Sequence, residues 1–223
     1  MRHVLGLVIA LWVLRTVSTS GQAPPRAASP LTANDVLAGQ LWRIAAATNT
    51  RIGFEATDHV SILGALRNVP PFSFSTLNDG LNAAVGSDDR YEWRKGDIVL
   101  VRPKRAWDDP ANPFNRRMRN VQVANAPPIA VLLGLRDFIY TDRFAITPRP
   151  TITDIPVSFG VQSGTVIDVL NELMVAADLV LWTGSYRPIG QPAARFPSWD
   201  LSLAVKDRVQ TNALSSGQPP ARK

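Results

Sequence analysis

The chain has no cysteine and only two histidines, His3 and His59. Thiolate metal sites, cysteine nucleophiles and disulfides are therefore excluded. His3 falls in a segment expected to be removed. A Ser-His-Asp arrangement would have only His59 to build on, and a multi-histidine zinc site cannot form. Carboxylates remain. Asp79 and Asp168 each follow a threonine by three residues, Thr76 and Thr165. That is the spacing of a helix capping box, which gives both acids a structural task. Asp88-Asp89 and Asp108-Asp109 are adjacent pairs in turn-like sequence, where acids are ordinarily solvated. The surroundings of Gly134 and Gly160 do not form a phosphate-binding pattern, and no cofactor is expected.

Trp42, Trp93, Trp182 and Trp199 are candidates for a stacking platform toward sugar rings or bases. Trp93 and Trp182 fall at strand ends, where aromatic side chains pack against helices. Trp107 differs. Arg102, Lys104 and Arg105 precede it, and Arg116, Arg117 and Arg119 follow. This basic stretch is either a solvated linker or a contact surface. Its candidate partner-binding residues are Arg105, Trp107, Arg116, Arg117 and Arg119. The net charge of +6 permits an acidic partner without demanding one.

The positions of these residues follow from how the chain is divided. Arg2 is followed by an apolar run from Val4 to Leu14 and then by small residues, Ser18 to Gly21. The run is too short for a bilayer span, which needs about 20 apolar residues, and has the form of a secretory leader. Residues 1–22 are expected to be a signal peptide, and 23–31 a proline-rich lead-in. Two folded segments, 32–103 and 119–207, flank a basic linker at 104–118. Residues 208–223 form a polar tail. With 45% apolar residues in 223, the chain can build a substantial core.

In the first segment, Leu37, Leu41, Ile44 and Ala45 recur at helical spacing, which predicts a helix from about Asp35 to Thr48. Ile52 and Phe54 alternate with Gly53 and Glu55 as a strand. A helix over Leu77–Val85 stops at Gly86. Tyr91 and Trp93 then lead through Lys95-Gly96-Asp97 into Ile98–Val101, a hairpin. The second segment reads as a strand at Val121–Ala124, a helix entered at Pro127-Pro128, and a strand through Val157, Phe159 and Val161. A strongly amphipathic helix from Val166 to Ala177 follows, then strands at Leu179–Trp182 and Leu201–Val205. The predicted fold is α+β: two tandem small modules, each with helices packed on one face of a small mixed β-sheet.

TLNDGLNAAVGSDDRYEW (76–93) aligns without gaps on TVIDVLNELMVAADLVLW (165–182). Thr, Asp, Leu, Asn, Asp and Trp recur at matching positions, which indicates an internal duplication. The segments LAGQLWRIAAATNTRIGFEA and FSTLNDGLNAAVGSDDRYEWRKGDIVLVRP resemble the short N-terminal domain of secretins and TonB receptors. Leu37, Leu41, Ile44 and Ala45 match the first helix of that family. Thr76, Leu77, Leu81 and the hairpin from Tyr91 to Val101 match the remainder. The second half is more weakly similar, through NAPPIAVLL and GTVIDVLNELMVAADLVLW. Asn49-Thr50 stands where the family usually has a glycine, and no pore or barrel sequence follows. The resemblance implies a periplasmic protein–protein contact module. The expected function is therefore an exported, non-catalytic interaction or adaptor protein for an unidentified protein of the cell envelope, with no nucleic acid and no lasting membrane span. Two alternatives stand beside it. One is a carbohydrate- or peptidoglycan-binding module using exposed tryptophans. The other is a hydrolase relying on two carboxylates about 5–9 Å apart.

Overall fold

The computed structural model describes residues 30–141, 143–146, 155–187 and 198–204. The leader, most of the lead-in, Val205, the tail and the Trp199 side chain lie outside the described residues. The first half forms α1 (Ala33–Thr48), β1 (Ile52–Ala56), α2 (Ile62–Asn68), α3 (Leu77–Gly86), β2 (Tyr91–Lys95) and β3 (Val99–Pro103). Two single turns of 3-10 helix follow, Lys104–Ala106 and Pro113–Asn115. The second half forms β4 (Arg117–Ala126), α4 (Pro128–Thr141), β5 (Val157–Thr165), α5 (Val166–Ala176), β6 (Leu181–Arg187) and β7 (Ser198–Ala204).

The helices begin where side chains satisfy their first N–H groups. The Thr32 Oγ1 accepts from the Asp35 N–H at 3.1 Å, and Asp35 accepts from the Thr32 N–H at 2.9 Å. Thr165 and Asp168 form the same reciprocal box on α5. Thr76 caps α3, but its Asp79 reaches one residue further back, to the Ser75 N–H and hydroxyl. α1 ends at Asn49, whose φ of 52° takes the left-handed conformation a glycine ordinarily supplies.

The fold is α+β. The main sheet has the order β2-β3-β1-β6-β7. β1 runs parallel to both β3 and β6, while β2 and β7 pair antiparallel at the two edges. A separate antiparallel pair joins β4 and β5. Helices of each half pack on one face of a mixed sheet, as the patterning predicts, and that sheet is common to both halves. On one face, Ile52, Phe54, Val99, Val101 and Leu181 meet α1, α2 and α3. On the other, Trp182, Leu201 and Leu203 join a core with Phe114, α4, α5 and the β4–β5 pair. Covered on both sides, every residue of central β1 is buried.

Two glycines permit this second layer. A Cβ on Gly53 would stand 2.5 Å from the Trp182 ring. One on Gly184 would stand 2.6 Å from the Phe114 ring. The Phe114 and Trp182 rings are stacked, with centroids 6.0 Å apart and 13° between their planes.

The segment read as a linker, 104–118, is corrected by the structure. It folds over the second face of β1 and is held there by a buried polar network. Arg102 Nε donates to Glu55 Oε2 at 2.6 Å, and Asn112 Nδ2 donates to Glu55 Oε1 at 2.6 Å. Arg102 also donates to Asn115 Oδ1, and Asn115 Nδ2 bonds the carbonyls of Ala106 and Asp109. Phe114 is completely buried. A solvated linker would have none of these contacts. The boundary at 119 also moves, because β4 begins at Arg117.

Candidate functional site

The basic stretch divides into residues that hold the fold and residues that face solvent. Arg102 belongs to the first group, with 3% of its side chain exposed against Glu55. Burial holds the Glu55 carboxyl above its ordinary range, and the Arg102 charge and the Asn112 amide oppose that shift. Arg116 Nη1 donates to the Ile139 carbonyl at 2.8 Å and, at 3.4 Å, to that of Phe138. Its guanidinium lies 5.1 Å from the Phe138 ring centroid. It therefore satisfies carbonyls in the last turn of α4, where a cation also complements the helix dipole. Trp107 is half-buried. The guanidinium carbons of Arg94 and Arg102 lie 4.0 and 5.1 Å from its ring centroid. Arg105, Arg117 and Arg119 are exposed.

Arg117 and Arg119 lie on β4 itself. Among the described residues, the β4–β5 pair has no third strand, so both of its outer edges are unpaired. Met118, Val121, Val123 and Ala126 point into the core, while Arg117, Arg119, Gln122 and Ala124 face out. Opposite the two arginines stand Thr165 and Ser163, both neutral. Neither strand contains an acidic residue. Among the described residues, neither arginine has a carboxylate within ion-pair distance.

Along β4 run two shallow depressions. One, of about 400 Å³, lies between Arg117, Arg119, Val121, Phe138 and Phe144. The next, of about 350 Å³, lies between Gln122, Ala124, Ala126, Phe144 and Ile146. Phe144 borders both, so a groove of mixed character follows the strand, with Phe138, Phe144 and Ile146 on one side and Arg117, Arg119 and Gln122 on the other. Asn120 and Asn125 sit in β4 with φ of 52° and 47°. Asparagine tolerates this conformation better than most residues. The pairing register with β5 shifts between Val123 and Ala126, a bulge of the kind that bends strands at sheet edges.

Most of the other residues named from sequence have structural partners. Trp182 is fully buried, and its Nε1 donates to Asn171 Oδ1 at 3.0 Å. Trp93 is half-buried and donates to Asn82 Oδ1 at 3.1 Å. Trp42 packs against the first core. These indoles do not form an open platform. Asp79 and Asp168 serve as caps, and Ser75 holds the Asp79 carboxyl below its usual range. Asp88 pairs with Arg90. His59 Nδ1 lies 2.8 Å from Asp200 Oδ2, linking the loop after β1 to β7. A depression of about 490 Å³ near the β2–β3 turn brings Arg51, Arg94 and Lys95 close to Asp97, Asp168 and Glu172. Its charges balance, so it favours neither sign of ligand. Among the described residues, no group of three or more histidines or acids could hold a metal. None of their helices is long and apolar enough to cross a membrane.

Sequence reasoning missed the groove because Phe138, Phe144 and Ile146 lie outside the basic stretch. It also missed Glu55, whose place in an alternating strand reads as solvent-facing. Comparison with protein-family models, curated proteins and solved structures finds no match to the chain. The resemblance to the secretin and TonB-receptor domain therefore rests on the residues quoted above.

Proposed function

We propose that this chain is an exported, non-catalytic interaction module that captures an extended segment of a partner protein by adding it as a strand to β4. The observation that carries the reading is the outer edge of β4, unpaired among the described residues, beside the Phe138–Phe144–Ile146 groove. Backbone groups on an open edge bind an extended chain, and a neighbouring groove selects its side chains. β2 is a weaker candidate. It is five residues long against ten for β4, and its Glu92 and Arg94 pair with each other. The leader-like N-terminus and the resemblance in the first half support a periplasmic setting.

The test is site-specific photocrosslinking in cells, with the reactive group placed in turn at Ala124 and Glu92. A partner crosslinked from Ala124 and not from Glu92, and lost when Phe144 is replaced by serine, supports the reading. Crosslinking from Glu92 alone would move the docking site to β2.

A further inference from the structure

We infer that the segment captured on β4 is acidic and apolar in strict alternation, an inference that rests on the strand-addition reading above. A strand laid beside β4 continues both faces of the two-stranded sheet, because side chains alternate with a period of two. On one face its side chains lie toward α4, over Phe138, Phe144 and Ile146. There an apolar side chain removes apolar surface from water on both partners. On the other face they lie beside Arg117 and Arg119.

Among the described residues, that outer face carries no counter-charge. The two arginines stand two residues apart on the same side of β4, opposite Ser163 and Thr165, and no acid occurs in β4 or β5 to offset them. Like charges placed beside them in an added strand would repel, while carboxylates would form cross-strand pairs. The spacing of the arginines matches the spacing of alternate residues in the incoming strand. Two carboxylates separated by one apolar residue therefore meet both cations at once. Arg116, although adjacent in sequence, is committed to the carbonyls at the end of α4. It supports the floor of the groove through Phe138 rather than contacting the segment.

The experiment uses the full chain and three labelled eight-residue peptides, read by fluorescence anisotropy. The first alternates glutamate with valine and phenylalanine. The second has the same composition with the glutamates grouped at one end. The third carries lysine in place of each glutamate. The alternating acidic peptide is expected to bind at least about tenfold more tightly than either control, and R117S/R119S to remove most of that preference. Phe144→Ala should weaken all apolar-bearing peptides without changing their charge preference. Equal binding of the acidic and lysine peptides overturns the acidic assignment and leaves strand capture standing. Equal binding of the alternating and grouped peptides overturns the alternation. Failure of all three peptides, with the fold confirmed by circular dichroism, overturns both the inference and the strand-addition reading. Concentration-dependent dimers that R117S/R119S abolishes would assign the edge to a second copy of the chain and also overturn the inference.

Discussion

The indole N–H of Trp182 donates to the Asn171 side-chain carbonyl at 3.0 Å, and Trp93 makes the same bond to Asn82 at 3.1 Å. In each half the asparagine sits on the threonine-capped helix and the tryptophan on the strand that follows, eleven residues later. The bond locks the helix to its returning strand. Its energetic weight differs between the halves, because Trp182 is fully buried and Trp93 is not. Asn171→Ala leaves a buried N–H without a partner and should cost about 1–3 kcal/mol, whereas Asn82→Ala should cost about 1 kcal/mol or less. Urea unfolding of the two variants checks the ordering. Equal losses would mean that burial does not distinguish the two bonds.

The leucines at matching positions of the two threonine-capped helices give a second comparison. Leu81 and Leu170 are both completely buried, in different cores on opposite faces of the main sheet. Alanine at either position should cost about 2–5 kcal/mol, and alanine at the capping Thr76 or Thr165 about 1 kcal/mol. Because the leucines lie in separate clusters, their losses should add within about 0.5 kcal/mol in the double variant. Strong coupling between them in a double-mutant cycle would contradict the two-layer arrangement.

These helices and their N-terminal caps were legible in the sequence because their signals are local: Thr-x-x-Asp and a 3.6-residue apolar period. The glycine stop was not, because Gly86 lies inside α3 and Ser87 caps it. The shared sheet was not legible. β1 pairs with β6, which is far away in sequence, and nothing within IGFEA announces a neighbour on its second side. Gly53 and Glu55 read as an outward face, yet one makes room for Trp182 and the other anchors the cover formed by 104–116. Asn112 and Asn115 read as turn formers. Their amides also carry the network that orders this segment. At the candidate site, the sequence placed Arg117 and Arg119 among the binding residues but did not separate them from Arg116, which holds the end of α4. Arginines of one basic stretch look alike until their partners are known.

The contact between Gly53 and Trp182 predicts a compensating pair. Gly53→Ala places a Cβ against the indole, whose neighbours on the Phe114 side leave it little room to move. Overpacking of this kind should cost about 1–3 kcal/mol. In a background where Trp182 is replaced by leucine, the same substitution should cost much less. A double-mutant cycle with no coupling would show that the clash is relieved elsewhere.

The Glu55–Arg102 pair makes stability depend on pH. Glu55 has an ordinary pKa of 4.5, which burial raises in the folded state. The folded protein therefore holds this proton more tightly than the unfolded chain. The associated stability is fully present below about pH 4.5 and is lost as pH rises through the folded value. Arg102 opposes the shift, so Arg102→Met should raise the Glu55 pKa further. The variant should lose about 3–5 kcal/mol at pH 7, where it buries an unpaired carboxylate, and much less at pH 4.5. Urea titrations of both proteins at the two pH values measure this difference. A loss independent of pH would mean that Glu55 does not become the unpaired charge.

Arginines 116, 117 and 119 should separate into two kinds of variant. Arg116→Ser removes donors to the Phe138 and Ile139 carbonyls and a guanidinium from the Phe138 ring. It should cost about 1–3 kcal/mol in stability, as loss of a charged hydrogen-bond donor does. R117S/R119S removes two exposed side chains and should leave stability within about 0.5 kcal/mol. Its effect should fall on binding. Exposed cations steer an acidic segment toward the edge, and screening shortens their reach from about 10 Å at 0.1 M salt to about 3 Å at 1 M. Backbone pairing and apolar contact in the groove are far less sensitive to salt. With the alternating acidic peptide as ligand, R117S/R119S should therefore slow association, and loss of the two cross-strand pairs should also speed dissociation, for a combined weakening of about tenfold. Raising salt on the wild type should reproduce that slowing without abolishing the complex. Stopped-flow anisotropy resolves the two rates. If 0.5 M salt instead eliminates binding to the wild type, charge alone holds the peptide and the β4 backbone is not the docking edge.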